Sequence, residues 1–302
     1  MKDLKQEIIK LKKEKDIAIL AHYYVPNEIQ DIADYVGDSY YLSKIGTELK
    51  QDTICFCGVS FMGESAKILN PTKNIIMPDL SANCPMAHMA SIDKIKELRK
   101  QYKDLAVVCY INSTAELKSY ADVCVTSSNA KKIVEKLPNK NIFFIPDENL
   151  GRYIASIVDG KNFIFNDGFC HVHAQITAEH VNTAKSQHPN AKVLTHPECR
   201  EEVTSLSDYV GSTSGIIDFA TASDCTEFIV STELGVLYEL EQKNPNKSFY
   251  PVSEHMICPD MKLNTLEKVL DCIKNNTNQV NVDKNLIGTS LKPLNAMLEL
   301  AK

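Results

Sequence analysis

Short apolar runs alternate with amphipathic helical patterns along the whole chain. Three of these runs resemble one another: "DIAILAHYY" (16–24), "DLAVVCYIN" (104–112) and "NAKVLTHPE" (190–198). Continuous apolar runs of this length are typical of strands buried on both faces, as in parallel sheets covered by helices. The alternation of such strands with helices predicts an α/β protein with parallel strands.

The pattern repeats at a nearly constant interval. The three runs begin 88 and 86 residues apart. The same offsets separate two further sets of segments: "ADYVGDS" (33–39), "ADVCVTS" (121–127) and "SDYVGST" (207–213), and "KNIIMPD" (73–79), "KNFIFND" (161–167) and "KSFYPVS" (247–253). They also separate the candidate helix N-caps Asp3, Ser91 and Thr177. A register kept over four segments indicates three homologous βαβ-type units.

The repeat predicts how the chain is divided into domains. We expect a first unit over 1–88, a second over 89–174 and a third over 175–302, the last including a C-terminal extension from residue 263. Like units commonly pack around a common axis. The predicted fold is therefore three homologous three-layer αβα domains arranged about a pseudo-threefold axis.

Composition excludes several classes of function. The chain of 302 residues is 44% hydrophobic and 24% charged, with a net charge of −6. This balance gives no electrostatic reason to expect nucleic acid or an anionic membrane as a partner. The sequence contains neither a run of 18 apolar residues nor a signal-peptide core, so we expect a cytoplasmic protein. Its ten cysteines are then expected to be reduced thiols.

Three of the cysteines stand in equivalent turns of the three units. Cys84, Cys170 and Cys258 are 86 and 88 residues apart, and each follows a predicted strand within a few residues. Loops that follow parallel strands lie at the end of the sheet where ligand sites form. If the three ends face inward, the thiolates converge. They could hold a zinc ion or three irons of a [4Fe–4S] cluster, or they could be unligated core thiols.

Polar residues at the ends of the first strands add candidate catalytic groups. They are His22, Tyr110 and His196 and, two residues further on, Tyr24, Asn112 and Glu198. A polar group at the end of an apolar strand is costly unless it is paired. One structural histidine would explain one such position, but not six at equivalent places. The set offers acids, bases and hydrogen-bond donors around one cavity.

A third equivalent set consists of hydroxyl residues. Ser39, Ser127 and Thr213 each precede a helical pattern, and each alone would be an ordinary helix cap. Three helix N-termini aimed at one cavity would instead present hydroxyls, backbone N–H groups and positive dipole ends together. Such a cavity suits a substrate with several anionic groups, such as carboxylates and phosphate.

Together these segments resemble the quinolinate synthase family over residues 15–262. The resemblance is carried by the three cysteines and by "AHYY" (21–24), "DIADYVGDS" (31–39), "AKILNP" (66–71), "YINSTAE" (110–116), "VTSSNA" (125–130), "CHVH" (170–173), "HPEC" (196–199) and "GSTSG" (211–215). It implies condensation of iminoaspartate with dihydroxyacetone phosphate to quinolinate, with loss of phosphate and two waters, for NAD synthesis. It also implies a [4Fe–4S] cluster on Cys84, Cys170 and Cys258, whose fourth iron acts as a Lewis acid.

The same resemblance assigns roles to single residues. It points to Tyr24, His196 and Glu198 as the acid–base groups of catalysis. Substrate contacts fall on His22, Ser39, Tyr110, Asn112, Ser127, His173, His196, Glu198 and Thr213. The partners it implies are the two small-molecule substrates and, transiently, an aspartate-oxidising enzyme.

Two departures from the family pattern leave questions open. Where other members read His-Asn-Tyr, this chain has His22, Tyr23 and Tyr24, so either tyrosine could face the cavity. Some members carry the last cysteine in a CxxCxxC run, whereas Cys258 stands alone.

Two other functions stay open as alternatives. One is a zinc-dependent aldolase or hydrolase, and the other is a non-catalytic iron–sulfur scaffold.

Overall fold

Three parallel four-stranded sheets form the framework of the protein in the computed structural model, which describes residues 2–302. The first sheet contains β1 (Ile17–His22), β2 (Tyr35–Gly37), β3 (Thr53–Cys57) and β4 (Asn74–Ile76). The second contains β5 (Leu105–Tyr110), β6 (Val123–Val125), β7 (Asn141–Ile145) and β8 (Asn162–Phe165). The third contains β9 (Lys192–Thr195), β10 (Tyr209–Val210), β11 (Glu227–Ser231) and β12 (Ser248–Pro251).

The three sheets share one topology. Their strand orders are β2-β1-β3-β4, β6-β5-β7-β8 and β10-β9-β11-β12, and all neighbouring strands are parallel. Every residue of β1 and β5 is buried, as expected for strands with helices on both faces of the sheet. The prediction of an α/β protein built from three like units is confirmed.

Helices connect the strands and cover both faces of each sheet. The first unit has α1 (Lys2–Glu14), α2 (Asn27–Gln30), α3 (Ser39–Glu48) and α4 (Ser60–Leu69), and the second has α5 (Ile92–Gln101), α6 (Ala115–Ser119), α7 (Ala130–Lys136) and α8 (Glu148–Ile157). There follow α9 (His171–Ala174), α10 (Ala178–Gln187), α11 (Glu201–Thr204), α12 (Thr213–Ala222), α13 (Val236–Lys243), α14 (Leu266–Asn275) and α15 (Lys284–Leu300). None of the helices in residues 2–302 combines the length and the apolar character needed to cross a membrane.

Two of the three predicted helix caps are observed. Ser91 caps α5 and Thr177 caps α10, each accepting a hydrogen bond from the backbone N–H three residues later. Asp3 was predicted to cap α1, but that helix already includes Lys2, so Asp3 lies in its first turn. An acidic side chain there still interacts favourably with the positive end of the helix dipole.

The C-terminal extension packs on the first and second units. The α14 helix lies against α1, and Val280 N–H donates to Ile75 O at 2.8 Å, which adds the segment to the edge of the first sheet. The α15 helix lies against α4 and α6. The extension was assigned to the third unit by its place in the sequence, but it packs on the first and second units and connects them. The boundaries 1–88, 89–174 and 175–302 stay a prediction.

Candidate active site

The carboxyl ends of the three sheets face a single cavity. It is lined by all thirteen residues predicted from the sequence: His22, Tyr24, Ser39, Cys84, Tyr110, Asn112, Ser127, Cys170, His173, His196, Glu198, Thr213 and Cys258. It is also lined by residues that were not predicted, namely Asp38, Val59, Phe61, Met62, Thr126, Val172, Glu233 and Met261. The repeat brings the predicted residues together because equivalent strand ends of three like units meet at one place.

Two histidines at strand ends fix the backbone that follows them. His22 Nδ1 accepts from Tyr24 N–H at 3.2 Å, and His196 Nδ1 accepts from Glu198 N–H at 3.4 Å. A neutral imidazole that accepts at Nδ1 carries its proton on Nε2. His196 Nε2 is 3.2 Å from Ser127 Oγ. Each histidine therefore has an N–H group available at the cavity.

Both of these histidines are neutral at pH 7. Burial, together with the nearby His196, lowers the pKa of His22 to about 3. Burial also lowers the pKa of His196 to about 3, against the opposing effect of Glu198. The side chains are only 5% and 3% exposed, respectively. Uncharged imidazoles can donate hydrogen bonds to an anionic substrate without being themselves strong acids.

Glu198 is a buried carboxylate with one free oxygen. Its Oε2 is 2.7 Å from His173 Nδ1 and 3.6 Å from His196 Nδ1. Burial opposes ionisation of Glu198, but the two histidines outweigh that effect and lower its pKa below the usual value. Its Oε1 and the Oδ1 of Asn112 are buried without a hydrogen-bond partner. Buried acceptors that line a cavity and lack partners are suited to a ligand.

The three predicted cysteines lie at equivalent places after the last strand of each sheet. Cys84 precedes a 3₁₀ turn (Pro85–His88), Cys170 precedes α9, and Cys258 precedes a 3₁₀ turn (Met261–Leu263). Burial raises the pKa of Cys84 to about 12, that of Cys258 to about 11 and that of Cys170 well above its ordinary value. The thiols are therefore protonated in the metal-free protein, and binding of a metal releases their protons.

Two buried acidic side chains hold the cysteine loops. Asp147 Oδ2 accepts from Cys170 N–H at 3.1 Å, and Glu233 Oε1 accepts from Cys258 N–H at 3.0 Å. Neither acid was predicted from the sequence, although the two acids stand at equivalent positions of the repeat. Val59, Asp147 and Glu233 stand two residues past the third strand of their units, 88 and 86 residues apart.

The donor groups fit two kinds of metal centre. Three thiols from three loops, with no further cysteine among the lining residues, suit a [4Fe–4S] cluster that leaves one iron without a protein ligand. Cys170 Sγ, His173 Nδ1 and a Glu198 oxygen also lie within 4.8 Å of one another. That mixed set suits a single zinc ion.

The hydroxyl residues lie at helix starts, but they are not the caps. Ser39 and Thr213 are the first residues of α3 and α12, whose caps are Asp38 and Ser212. Ser127 lies three residues before α7. A helix therefore begins at or shortly after each of the three hydroxyl residues, as predicted, but the capping side chain of α3 and of α12 belongs to the preceding residue.

Of the neighbouring residues Tyr23 and Tyr24, and of the nearby His171 and His173, only one member of each pair lines the cavity. Tyr24 lines the cavity, whereas Tyr23 is buried in the core of the third unit beside Leu194 and Ile216. His171 is exposed, whereas His173 is buried and lines the cavity. Tyr23 and Tyr24 are adjacent and point in different directions, whereas His171 and His173 are two positions apart on α9 and therefore lie on opposite sides of that helix.

Comparisons with known proteins give one consistent result. Residues 6–299 match the family model described as "Quinolinate synthetase A protein". The chain is 55% identical over 298 residues to a protein named quinolinate synthase from Fusobacterium nucleatum, covering 99% of both chains. It is 51% identical over 301 residues to one from Clostridioides difficile, covering 100% of this chain and 99% of the relative. The similarity thus extends over whole chains rather than one shared segment.

Proposed function

This chain belongs to the quinolinate synthase family and is an enzyme of that kind, and we propose that it condenses iminoaspartate with dihydroxyacetone phosphate. The products are quinolinate, phosphate and two waters, and the reaction serves NAD biosynthesis. The observation that carries the proposal is the single cavity lined by all thirteen residues that the family resemblance pointed to. Such a reaction needs anion donors, proton-transferring groups and a Lewis acid in one place.

A [4Fe–4S] cluster on Cys84, Cys170 and Cys258 is part of the proposal. When bound, it supplies a Lewis acid at the iron that lacks a cysteine ligand. The cysteines come from three separate loops, and the rest of the cavity wall holds the polar residues. Thiolate ligands must stay reduced, so a cytoplasmic location belongs to the same proposal.

The anionic groups of the substrates are assigned to the hydroxyl side of the cavity. The Ser39, Ser127 and Thr213 hydroxyls and the N-termini of α3 and α12 present donors there. Helix N-termini and hydroxyls together bind phosphate and carboxylate without a counter-charge from lysine or arginine. His22, Tyr110, Asn112 and His173 complete the proposed contacts.

Proton transfer is assigned to Tyr24, Glu198 and His196. The ionised Glu198 can take a proton at Oε1, which has no partner in the protein. Tyr24 keeps its proton at neutral pH because burial raises the pKa of its phenol well above the ordinary value, so it serves as a donor. His196 presents its Nε2–H beside Ser127. The set thus contains a base in Glu198, a proton donor in Tyr24 and a hydrogen-bond donor in His196.

Anaerobic purification followed by metal analysis and an activity assay tests this proposal. We expect about four irons and four sulfides per chain, and quinolinate formation when dihydroxyacetone phosphate is mixed with iminoaspartate supplied by an aspartate-oxidising enzyme. Transient coupling to such an enzyme is also proposed, and it would appear as faster quinolinate formation with the two enzymes together than with preformed iminoaspartate.

Two outcomes would favour the alternatives. One zinc per chain without quinolinate formation would favour a zinc-dependent aldolase or hydrolase, consistent with the mixed donor set of Cys170, His173 and Glu198. A bound cluster without any turnover would favour a non-catalytic iron–sulfur scaffold. The polar residues Tyr24 and Glu198 in the cavity wall argue against a scaffold, which would need only the three cysteine loops to present its cluster.

A further inference from the structure

The loop of the first cysteine lacks the acidic side chain that supports the other two cysteine loops. Cys170 N–H donates to Asp147 Oδ2 at 3.1 Å, and Cys258 N–H donates to Glu233 Oε1 at 3.0 Å. The equivalent residue of the first unit is Val59, whose side chain has no polar group. The backbone N–H of the first cysteine therefore needs a different acceptor.

That acceptor is the side chain of Asn83. Its Oδ1 accepts from Cys84 N–H at 2.8 Å and from the Ser60 hydroxyl at 3.0 Å. The equivalent residues before the other two cysteines are Phe169 and Ile257, which are apolar and exposed. The first unit thus differs from the others at two positions at once, and the polar residue before its cysteine takes the place of the missing acid.

The third unit supports Asn83 from across the interface between the units. Asp260 Oδ1 accepts from Asn83 N–H at 3.0 Å. Asp260 stands at the start of the 3₁₀ turn Met261–Leu263, but its side chain does not cap that turn. Because Asp260 is two residues after Cys258, its hydrogen bond links the loops of two cysteines.

Side chains also join the other two pairs of cysteine loops. Asn166, four residues before the second cysteine, donates from Nδ2 to Met89 O at 2.7 Å, just after the turn of the first cysteine loop. Gln175 Nε2 donates at 3.0 Å to the carbonyl oxygen of His255, three residues before the third cysteine. The three loops are therefore connected in a closed ring, and the link through Asp260 differs from the other two in ending at the N–H of a residue adjacent to a cysteine.

We propose that Asn83 and Asp260 are positioning residues that hold the Cys84 loop in the geometry required for metal binding and couple it to the Cys258 loop. The role rests on the proposed function, because it assumes that the three cysteines bind a cluster. It goes beyond that function by assigning the support of one cysteine to a residue of another unit. Removing a group that orients a metal ligand typically weakens metal binding by about 10 to 100-fold.

Substitutions at Asp260 separate its acceptor oxygen from its charge. Asp260→Ala removes both, whereas Asp260→Asn keeps an oxygen acceptor. In the reconstituted full chain, we expect Asp260→Ala to lose iron at a chelator concentration about 10 to 100-fold lower than the parent protein does. Asp260→Asn should retain iron nearly as well as the parent, because the oxygen and not the charge receives Asn83 N–H.

A second measurement does not depend on a bound cluster. In the metal-free full chain, alkylation by iodoacetamide is followed at Cys84 and Cys170 by mass spectrometry. A loosened Cys84 loop exposes its thiol, so we expect Asp260→Ala to raise the alkylation rate of Cys84 severalfold and to leave that of Cys170 near the parent value. A general loss of stability would instead raise both rates.

Asn83 and an exposed acid provide the matched controls. Asn83→Ala should behave as Asp260→Ala does, and it carries the test if Asp260→Ala does not fold. Asn83→Asp keeps an oxygen acceptor for Cys84 N–H and should retain iron as the parent does. Asp167→Ala removes an exposed acid of the Cys170 loop and should change neither iron retention nor the alkylation rates.

The positioning role and the proposed function fail in different ways. A parent chain that binds no cluster would overturn the proposed function, and the alkylation rates would still decide whether Asp260 holds the Cys84 loop. Equal iron retention in the parent and Asp260→Ala, or an Asp260→Asn variant as poor as Asp260→Ala, would overturn the positioning role alone. A Cys84 alkylation rate that Asp260→Ala leaves unchanged, or raises no more than that of Cys170, would also overturn it.

Discussion

The two carboxylate oxygens of Glu198 have different surroundings. Its Oε2 is held by His173, so the carboxylate is oriented and stays ionised, while Oε1 has no partner. An ionised carboxylate with one oxygen unpaired in the protein suits the proposed role of Glu198 as a base.

Replacing Glu198 by Gln tests the proposed base. The amide keeps the volume but cannot take a proton, so we expect quinolinate formation to fall by roughly 10² to 10⁴-fold. Iron and sulfide content should not change, because Glu198 is not assigned as a ligand. Glu202→Gln, on the exposed side of α11, serves as the control. Turnover equal to that of the control would remove Glu198 from the mechanism.

The buried histidines predict how stability depends on pH. Burial lowers the pKa of His22 from 6.5 to about 3, so between these values the unfolded chain binds a proton that the folded protein does not. The free energy of unfolding therefore falls as the pH falls below 6.5, by about 1.4 kcal/mol per pH unit for this residue. His22→Gln should make that slope shallower in urea unfolding of the cluster-free protein between pH 7 and 5. Equal slopes would contradict it.

Among the secondary-structure elements, the ends of β7 and β11 each position a cysteine loop. Glu233 follows β11 and holds three groups, since Oε1 accepts from Cys258 N–H and Lys262 Nζ and Oε2 accepts from Gly235 N–H at 2.6 Å. Asp147 follows β7 and both caps α8 and holds Cys170 N–H. Groups that orient metal ligands are part of a metal site as much as the ligands are.

Glu233→Ala should loosen the loop that carries Cys258. We expect iron to be lost to a chelator at a concentration roughly 10 to 100-fold lower than for the parent protein, while Glu233→Gln, which keeps an oxygen acceptor, should have a smaller effect. Glu241→Ala, an exposed glutamate on α13, is the control. Iron retention that is the same in all three variants would show that the carboxylate does not support the site.

At the scale of the whole molecule, the cavity exists only where the three units meet. At the cavity, the Thr232 hydroxyl of the third unit is hydrogen-bonded both to Tyr24 of the first unit and to His173 of the second. Ser214 Oγ also donates to Asp38 Oδ2 at 2.7 Å, which joins the third unit to the first. The geometry of the site therefore depends on the relative placement of the three units, whereas each sheet is formed within one unit.

The α15 helix is expected to stabilise the packing of the first two units. Leu294 on this helix is completely buried, and Leu294→Ala should lower the free energy of unfolding by about 2–5 kcal/mol. Lys292→Ala, on the exposed face of the same helix, should change it little. Urea unfolding of both variants measures the difference. A loss for Leu294→Ala no larger than that for Lys292→Ala would show that α15 is not part of the core.

The fold class, the three-unit repeat and thirteen of the residues around the cavity could be predicted from the sequence. This was possible because strands and helices follow local periodicity, and because equivalent positions of like units occupy equivalent places at the sheet ends. Tyr24, Glu198 and the three cysteines could therefore be assigned to one site before any distance was known.

The hydrogen bonds that connect these residues could not be predicted from the sequence. Thr232 is 59 residues from His173 and 208 from Tyr24 in the chain, and no periodicity predicts a bond between them. The choice between Tyr23 and Tyr24 and the place of the C-terminal extension were likewise settled by packing between units. The physical reason is that hydrogen bonds depend on the relative placement of elements to a fraction of an ångström, whereas sequence patterns specify only which face of each element is buried.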